Sequence, residues 1–386
     1  MNCPSLRLTT TSILLLGLSL SAIAFDDTPS KAPFRIASRI FQPGDDNLGL
    51  EKAPGQDVIL YRATDDGYKF CHHPNLVVFR DKLFCMWSNG IVGEDLPGQR
   101  ILISTSSDGL TWTEPTMLTD HQRGKGICVA AGFHVFEETL VAYCTATGGT
   151  NFHQDTALLA RTSCDGQSWS EPHKVTGGFF LAGPRRLPRG RLLLSGDRVG
   201  SQRTADRMLL LYSDQPNGLG GWREARIDLR NPKDFGYTEP CHFLRKDETV
   251  VMAFRNYSGH LFASVSSDSG ESWTTPVETG FPDSTARFST GQLPDGTTYL
   301  INNPGPTQFD RSRLTIALSE NGTTFDRALL LRGESTKKRY EGQHKIDGWQ
   351  YPHAVCWNGH FYVAYSINKE DIGVTRIALT DLITQQ

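Results

Sequence analysis

The 386-residue chain has no excess of positive charge: 39 Lys and Arg stand against 42 Asp and Glu, a formal net charge of −3. Nucleic-acid binding, which depends on a basic face, is not expected. None of its 8 cysteines forms a CxxC pair, so neither a zinc ribbon nor a dithiol redox motif is read from it. Methionine is scarce at 5, and beyond the N-terminus no convincing amphipathic helical pattern appears. There is one long apolar run, Ser12–Ala24 (SILLLGLSLSAIA), preceded by Arg7 and ending in Ala22-Ile23-Ala24. It is too short to span a membrane comfortably and reads as a secretory signal peptide, residues 1–24, cut near Phe25. The expectation is a secreted or periplasmic protein with no membrane span, a single domain over residues 25–386, and a monomer. An oxidising compartment would allow Cys71 to pair with Cys85, or Cys128 with Cys144. Seven cysteines remain after Cys3, however, and buried free thiols acting as small apolar groups account for them as well.

What the chain has in quantity is turn-forming residues, 37 Gly and 20 Pro, and a repeated turn. SSDGLTW at Ser106–Trp112 recurs as SCDGQSW at Ser163–Trp169, SSDSGESW at Ser266–Trp273 and SENGTTF at Ser319–Phe325. A degenerate copy runs from Ser213 to Trp222. The acidic or Asn position falls at 108, 165, 214, 268 and 321, a period of 49 to 57 residues, which signals a propeller or solenoid. Each period carries three alternating strand patterns, the repeated turn and a short fourth strand, as in EPCHFLRKD, TVVMAFRN, HLFASVSSD and SWTTPVET. The fold expected is all-β: a six-bladed β-propeller with four-stranded antiparallel blades, with seven blades left open if residues 34–62 form more than one strand pair. The last blade, built from YPHAVCWNGHFYVAYS and IGVTRIALTDLI, is closed by the N-terminal DVILYRA, which leaves no open sheet edge. The repeated turn is read as structural, with the Asp side chain accepting backbone N–H groups, Gly at positive φ and Trp packing between sheets.

These turns resemble the Asp boxes, or BNR repeats, of the sialidase superfamily, over nearly the whole chain after the leader. The resemblance implies a glycosidase with three arginines on the substrate carboxylate, a Tyr nucleophile, a Glu that activates it and an Asp acid/base. On YTEPCHFLRKDETVVMAFRN it assigns Glu239 as activator and Arg255 as a carboxylate ligand. On NNPGPTQFDRSRLTIALSENG it assigns Arg311, with Arg313 one register away. On WQYPHAVCWNGHFYVAYS it assigns Tyr351 as nucleophile. The chain departs from the family where the first arginine should stand: KFCHHPNLVVF carries His72, then His73 before Pro74. The loop expected to hold the acid, SNGIVGEDLPGQR, offers Asp95 or Glu94.

The chemistry is consistent with an anionic sugar. A neutral phenol can approach an anomeric carbon bearing a carboxylate without the repulsion another carboxylate would meet, and arginines grip that carboxylate bidentately. Arg287 and Arg185 are further inner-strand candidates to line the pocket, and His353, two residues after Tyr351, is expected on the same face. Histidine near the axis keeps other readings open, since His72 or His73 could move a proton near neutral pH. These are a polysaccharide lyase, an α-L-rhamnosidase, or a glycan-binding propeller without catalysis. No cofactor is implied. No metal is expected either, because His72, His73, His353 and His360 lack a ligand-spacing motif.

Overall fold

Alternating apolar and polar residues, bounded by Gly, Asp or Asn, fold here into strands of 2 to 10 residues. The computed structural model describes residues 32–119, 126–147, 156–199, 207–230, 235, 238–305 and 307–383, so the expected leader lies outside them. One short helix, Leu379–Leu382, is present among the described residues, and no helix there is long and apolar enough to cross a membrane.

The strands form six four-stranded sheets, each hydrogen-bonded in antiparallel order. The first blade begins at Phe70–Phe79, the second at Ile127–Phe136, the third at Arg185–Arg186 and the fourth at Cys241–Leu244. The fifth begins at Ser289–Gln292 and the sixth at Trp349–Trp357. These first strands are the inner ones. In the sixth blade the outer strand is Gly55–Tyr61, which pairs with Asp371–Ala378 and ties the N-terminal part of the domain to its end.

The fourth blade differs from expectation in one detail. The stretch expected as a single strand from Ser272 divides: Ser272–Trp273 pairs in parallel with Arg226–Ile227, and the outer strand is Val277–Pro282. Trp273 turns inward, 4% exposed, and Pro276 has no N–H to continue a ladder, so the chain bends before it pairs again.

Each sheet is apolar on both faces, and the core therefore lies between blades. Six apolar clusters fill the six inter-blade gaps, as where Phe84, Met86 and Ile103 of the first blade meet Ala130, Leu140 and Ala142 of the second. A seventh cluster, with Val129, Phe179, Leu181 and Tyr351, sits where inner strands converge. Burying each large apolar side chain of this kind is worth about 1.5–3 kcal/mol. The seven cysteines from Cys71 to Cys356 are all free thiols, so neither pairing considered above is formed.

Candidate active site

The inner strands of a propeller line a common axis, and three of them contain or directly follow the same kind of step. His73 precedes Pro74, Glu239 precedes Pro240 and Tyr351 precedes Pro352. The residue before each proline has positive φ: 55° at His73, 41° at Glu239 and 56° at Tyr351. Proline cannot donate to the ladder, and at His73 and Tyr351 the strand register shifts as a bulge forms. Bulky residues in left-handed backbone cost about 1–3 kcal/mol each and persist only where surrounding structure holds them. The bulges re-aim His73 and Tyr351 into one cavity of about 510 Å³, and Glu239 lines it with them.

At the centre of this cavity the Tyr351 hydroxyl donates to Glu239 Oε1 at 2.9 Å. Arg255 Nη1 donates to the same hydroxyl at 3.3 Å, and its Nη2 lies 2.9 Å from Glu239 Oε1. Burial works against the charge of Arg255, but Glu239, Tyr351 and Asp283 outweigh it and hold the guanidinium firmly protonated. Burial pushes the Tyr351 hydroxyl well above the ordinary phenol range, so the phenol is neutral. Glu239 Oε2 is buried with no hydrogen-bond partner.

Arg311 enters from the loop between the second and third strands of the fifth blade. Its Nη2 donates to the Thr285 carbonyl at 2.8 Å, and Arg255 Nη1 donates to the same carbonyl at 3.1 Å. One oxygen thus brackets two guanidiniums, and both arginines line the cavity. The Arg311 carbonyl accepts from the Trp349 N–H at 2.8 Å, which fixes the loop to the strand carrying Tyr351. Gly348 makes this possible: its φ is 112°, and a Cβ there would stand 2.1 Å from that carbonyl oxygen. Two buried carboxyls brace the frame. Asp197 Oδ1 accepts from the Thr238 N–H and hydroxyl at 3.1 and 2.8 Å, just before Glu239, and Asp283 accepts from the Ala286 N–H at 3.2 Å.

Asp95 lines the opposite part of the cavity at φ 53°. Burial, then the adjacent Glu94 charge, push its carboxyl up to about 8, and its backbone N–H donates to Gln99 Oε1 at 3.0 Å. Burial and the Glu94 charge both favour its protonated form. His73 lines the cavity, whereas His72 is wholly buried and packed at a tilt against Tyr351, ring centroids 3.9 Å apart. Burial first, then His73 beside His72 and the Arg287 guanidinium beside His73, hold both imidazoles well below their ordinary range. His353 is not on the cavity wall with Tyr351 as alternation predicts. The intervening bulge breaks the two-residue period, and His353 Nδ1 instead accepts from the Leu76 N–H at 3.1 Å. Arg287 is buried outside this wall with Nη1 unpartnered, and Arg185 donates to the carbonyls of His242 and Thr290. Arg313 turns outward to the Asp46 carbonyl.

Lys369 is a cavity residue that the sequence reading missed. Its ammonium pairs with Glu94 Oε2 and lies 5.8 Å from the centre of the Tyr351 ring. Asn368 and Lys369, both at positive φ, look in sequence like an ordinary hairpin tip. The one local signal for the strained residues is the proline that follows His73, Glu239 and Tyr351.

Six antiparallel four-stranded blades, five of them carrying an Asp-box turn, define a BNR-repeat β-propeller of the sialidase type. The chain belongs to the family of BNR repeat-like domains, whose model matches residues 81–363. Solved structures share the fold. A sialidase aligns with a TM-score of 0.66 at 18% identity over 90% of this chain and 35% of its own. A protein of unknown function from Dyadobacter fermentans aligns at 0.64 and 16% over 84% of this chain and 98% of its own. Trypanosoma rangeli sialidase in complex with sialic acid aligns at 0.64 and 14% over 86% of this chain and 60% of its own. The chain thus spans about a third of the length of the first of these and well over half of the trypanosomal sialidase. No curated protein sequence matches it.

Proposed function

We propose that the protein is a retaining exo-glycosidase that hydrolyses a terminal carboxylated sugar from glycans. The observation that carries this reading is the Tyr351 hydroxyl held between Glu239 Oε1 and Arg255 Nη1. Glu239 takes the phenol proton as the Tyr351 oxygen bonds to the anomeric carbon. Arg255 stabilises the charge that develops on the phenol oxygen, and Arg255 with Arg311 binds the sugar carboxylate. Asp95, in its protonated form, gives its proton to the departing glycosidic oxygen. It then serves as base for the water that releases the sugar. Sialic acid, bound by the trypanosomal sialidase, is the first substrate to test. The lyase and rhamnosidase readings need a histidine at the substrate, and the enclosure of His72 behind Tyr351 weighs against that residue.

The test is mass spectrometry of products from sialyl-lactose and from a panel of uronate-bearing glycans, with intact-protein mass after exposure to 2,3-difluorosialic acid. Release of sugar with one added water, and a covalent adduct mapped to Tyr351, are expected. Unsaturated uronate ends without added water would replace this reading with a lyase, and binding without turnover across the panel would leave a glycan-binding propeller.

A further inference from the structure

Beside the tyrosine group, two residues of the cavity wall and one enclosed behind it form a second cluster. His72, His73 and Glu94 are buried, and one ligand-type atom of each lies within 4.8 Å of the others. His72 Nε2 is 3.6 Å and His73 Nε2 is 3.8 Å from Glu94 Oε1, both longer than a good hydrogen bond. They are close to the edge of a zinc tetrahedron, about 3.4 Å for bonds of about 2.1 Å.

His72 supplies an independent sign. It is wholly enclosed, yet neither ring nitrogen has a hydrogen-bond partner. Buried polar groups are almost always satisfied, and an imidazole orphaned at both nitrogens is costly unless something else engages it. His73 is already oriented for the same purpose: Nδ1 meets Ser88 Oγ at 3.2 Å, which leaves Nε2 for another partner. Lys369 holds Glu94 Oε2, so Oε1 is the oxygen that faces the histidines.

We propose that His72, His73 and Glu94 bind one zinc-class divalent cation, with a further coordination position open to the cavity. Two imidazoles and one carboxylate suit Zn²⁺ or Co²⁺, whereas Mg²⁺ and Ca²⁺ prefer oxygen ligands throughout. His73 and Glu94 line the cavity, which gives the ion a path from solvent. The ion's role, unlike the site itself, rests on the glycosidase reading: at the inner-strand position where the resemblance expects the family's first arginine, it would hold an oxygen of the sugar carboxylate.

The experiment uses tag-free, EDTA-stripped protein titrated with Zn²⁺ alone by calorimetry and with Co²⁺ by visible absorption. One equivalent is expected, with the intense d–d bands of a four-coordinate Co²⁺ site. Glu94→Gln and His73→Asn should each weaken binding by about 100-fold or more, and Ser88→Ala, which only frees the His73 ring, by about 10-fold. Circular dichroism and melting identify variants that fail to fold, and Ser88→Ala tests the site with its ligands intact. No Zn²⁺ or Co²⁺ binding by folded wild-type protein at millimolar metal would overturn the proposal. So would a single site indifferent to the folded ligand variants. Tyr351→Phe should keep the metal while losing turnover. A protein that binds zinc but releases no sugar would overturn the glycosidase reading alone, and a metal-stripped enzyme that keeps full activity would overturn the ion's role on the sugar carboxylate alone.

Discussion

The Asp-box turns and the cavity wall both take the chain through left-handed backbone, but with opposite kinds of residue. In four boxes the position belongs to glycine: Gly109 and Gly166 at φ 75°, Gly270 at 90° and Gly322 at 74°. Around the cavity it belongs to His73, Asp95, Glu239, Phe309, His344, Tyr351 and Lys369. Glycine adopts this conformation without steric cost, whereas each L side chain pays about 1–2 kcal/mol. The boxes are also well satisfied. Asp108 Oδ1 accepts the N–H groups of Leu110 and Thr111 at 2.8 and 2.7 Å, and Asp165 repeats this with Gln167 and Ser168. The cavity instead leaves Glu239 Oε2, Arg311 Nε and both His72 nitrogens without partners. The box turns are held by their own acidic side chains, although Ser269 stands at φ 59° and the Trp112 and Trp222 indole nitrogens lack partners; the cavity wall concentrates both strain and unpartnered charged or imidazole groups.

The sharpest way to test this contrast is Tyr351→Phe. Under the proposed chemistry it removes the nucleophile, and turnover should fall on the order of 10⁴-fold or more. Glycan binding should change little. Steady-state kinetics with a binding titration checks both, and an active Phe variant would make the strained tyrosine a packing residue.

Asp95→Asn should cost about 10²–10³-fold in turnover, most with poor leaving groups. Its raised pKa sets the sign of the pH effect: the protonated acid is present below about 8 and lost as pH rises through it. The wild-type alkaline limb should therefore vanish in the Asn variant, and a limb that survives assigns the proton to another group.

On the scaffold side, Gly109→Ala would place a Cβ 2.0 Å from Tyr362 Cε1 of the preceding blade. Backbone strain and overpacking together predict a loss of about 2–4 kcal/mol by denaturant unfolding. Retained stability would show that the boxes are no more constrained than loops. The smallest effect is expected at His344, exposed and at φ 58°. His344→Gly should raise stability by about 0.5–1 kcal/mol, the strain relieved less the entropy glycine adds. A destabilised variant would mean that the cavity wall is not under strain there.

Much of the scaffold was legible because its signals are local. Ser, Asp and Gly within one turn bond to one another, and alternation over a few residues defines a strand. Ring closure by Gly55–Tyr61 was also readable, from an unpaired apolar pattern at one end and an incomplete blade at the other. The candidate site was legible only in part. Tyr351, Glu239, Arg255 and Arg311 came from resemblance, and the structure gathers them within one cavity. His353 was misplaced because strict alternation does not survive a bulge, and Lys369 was missed because nothing near it in sequence distinguishes it from a hairpin tip.

The sequence by itself determined the repeat and the strand grammar, since a turn's hydrogen bonds and a strand's period are set by residues only a few places apart; that the blades number six and not seven was decided by the structure. Only the tertiary structure decided which side chains share the cavity. Glu94 and Lys369 are 275 residues apart yet form one ion pair, and Tyr351 meets a carboxylate 112 residues away. Such contacts depend on where six closed blades and three bulged or proline-flanked inner strands aim their side chains, a geometry that no short stretch of the chain contains.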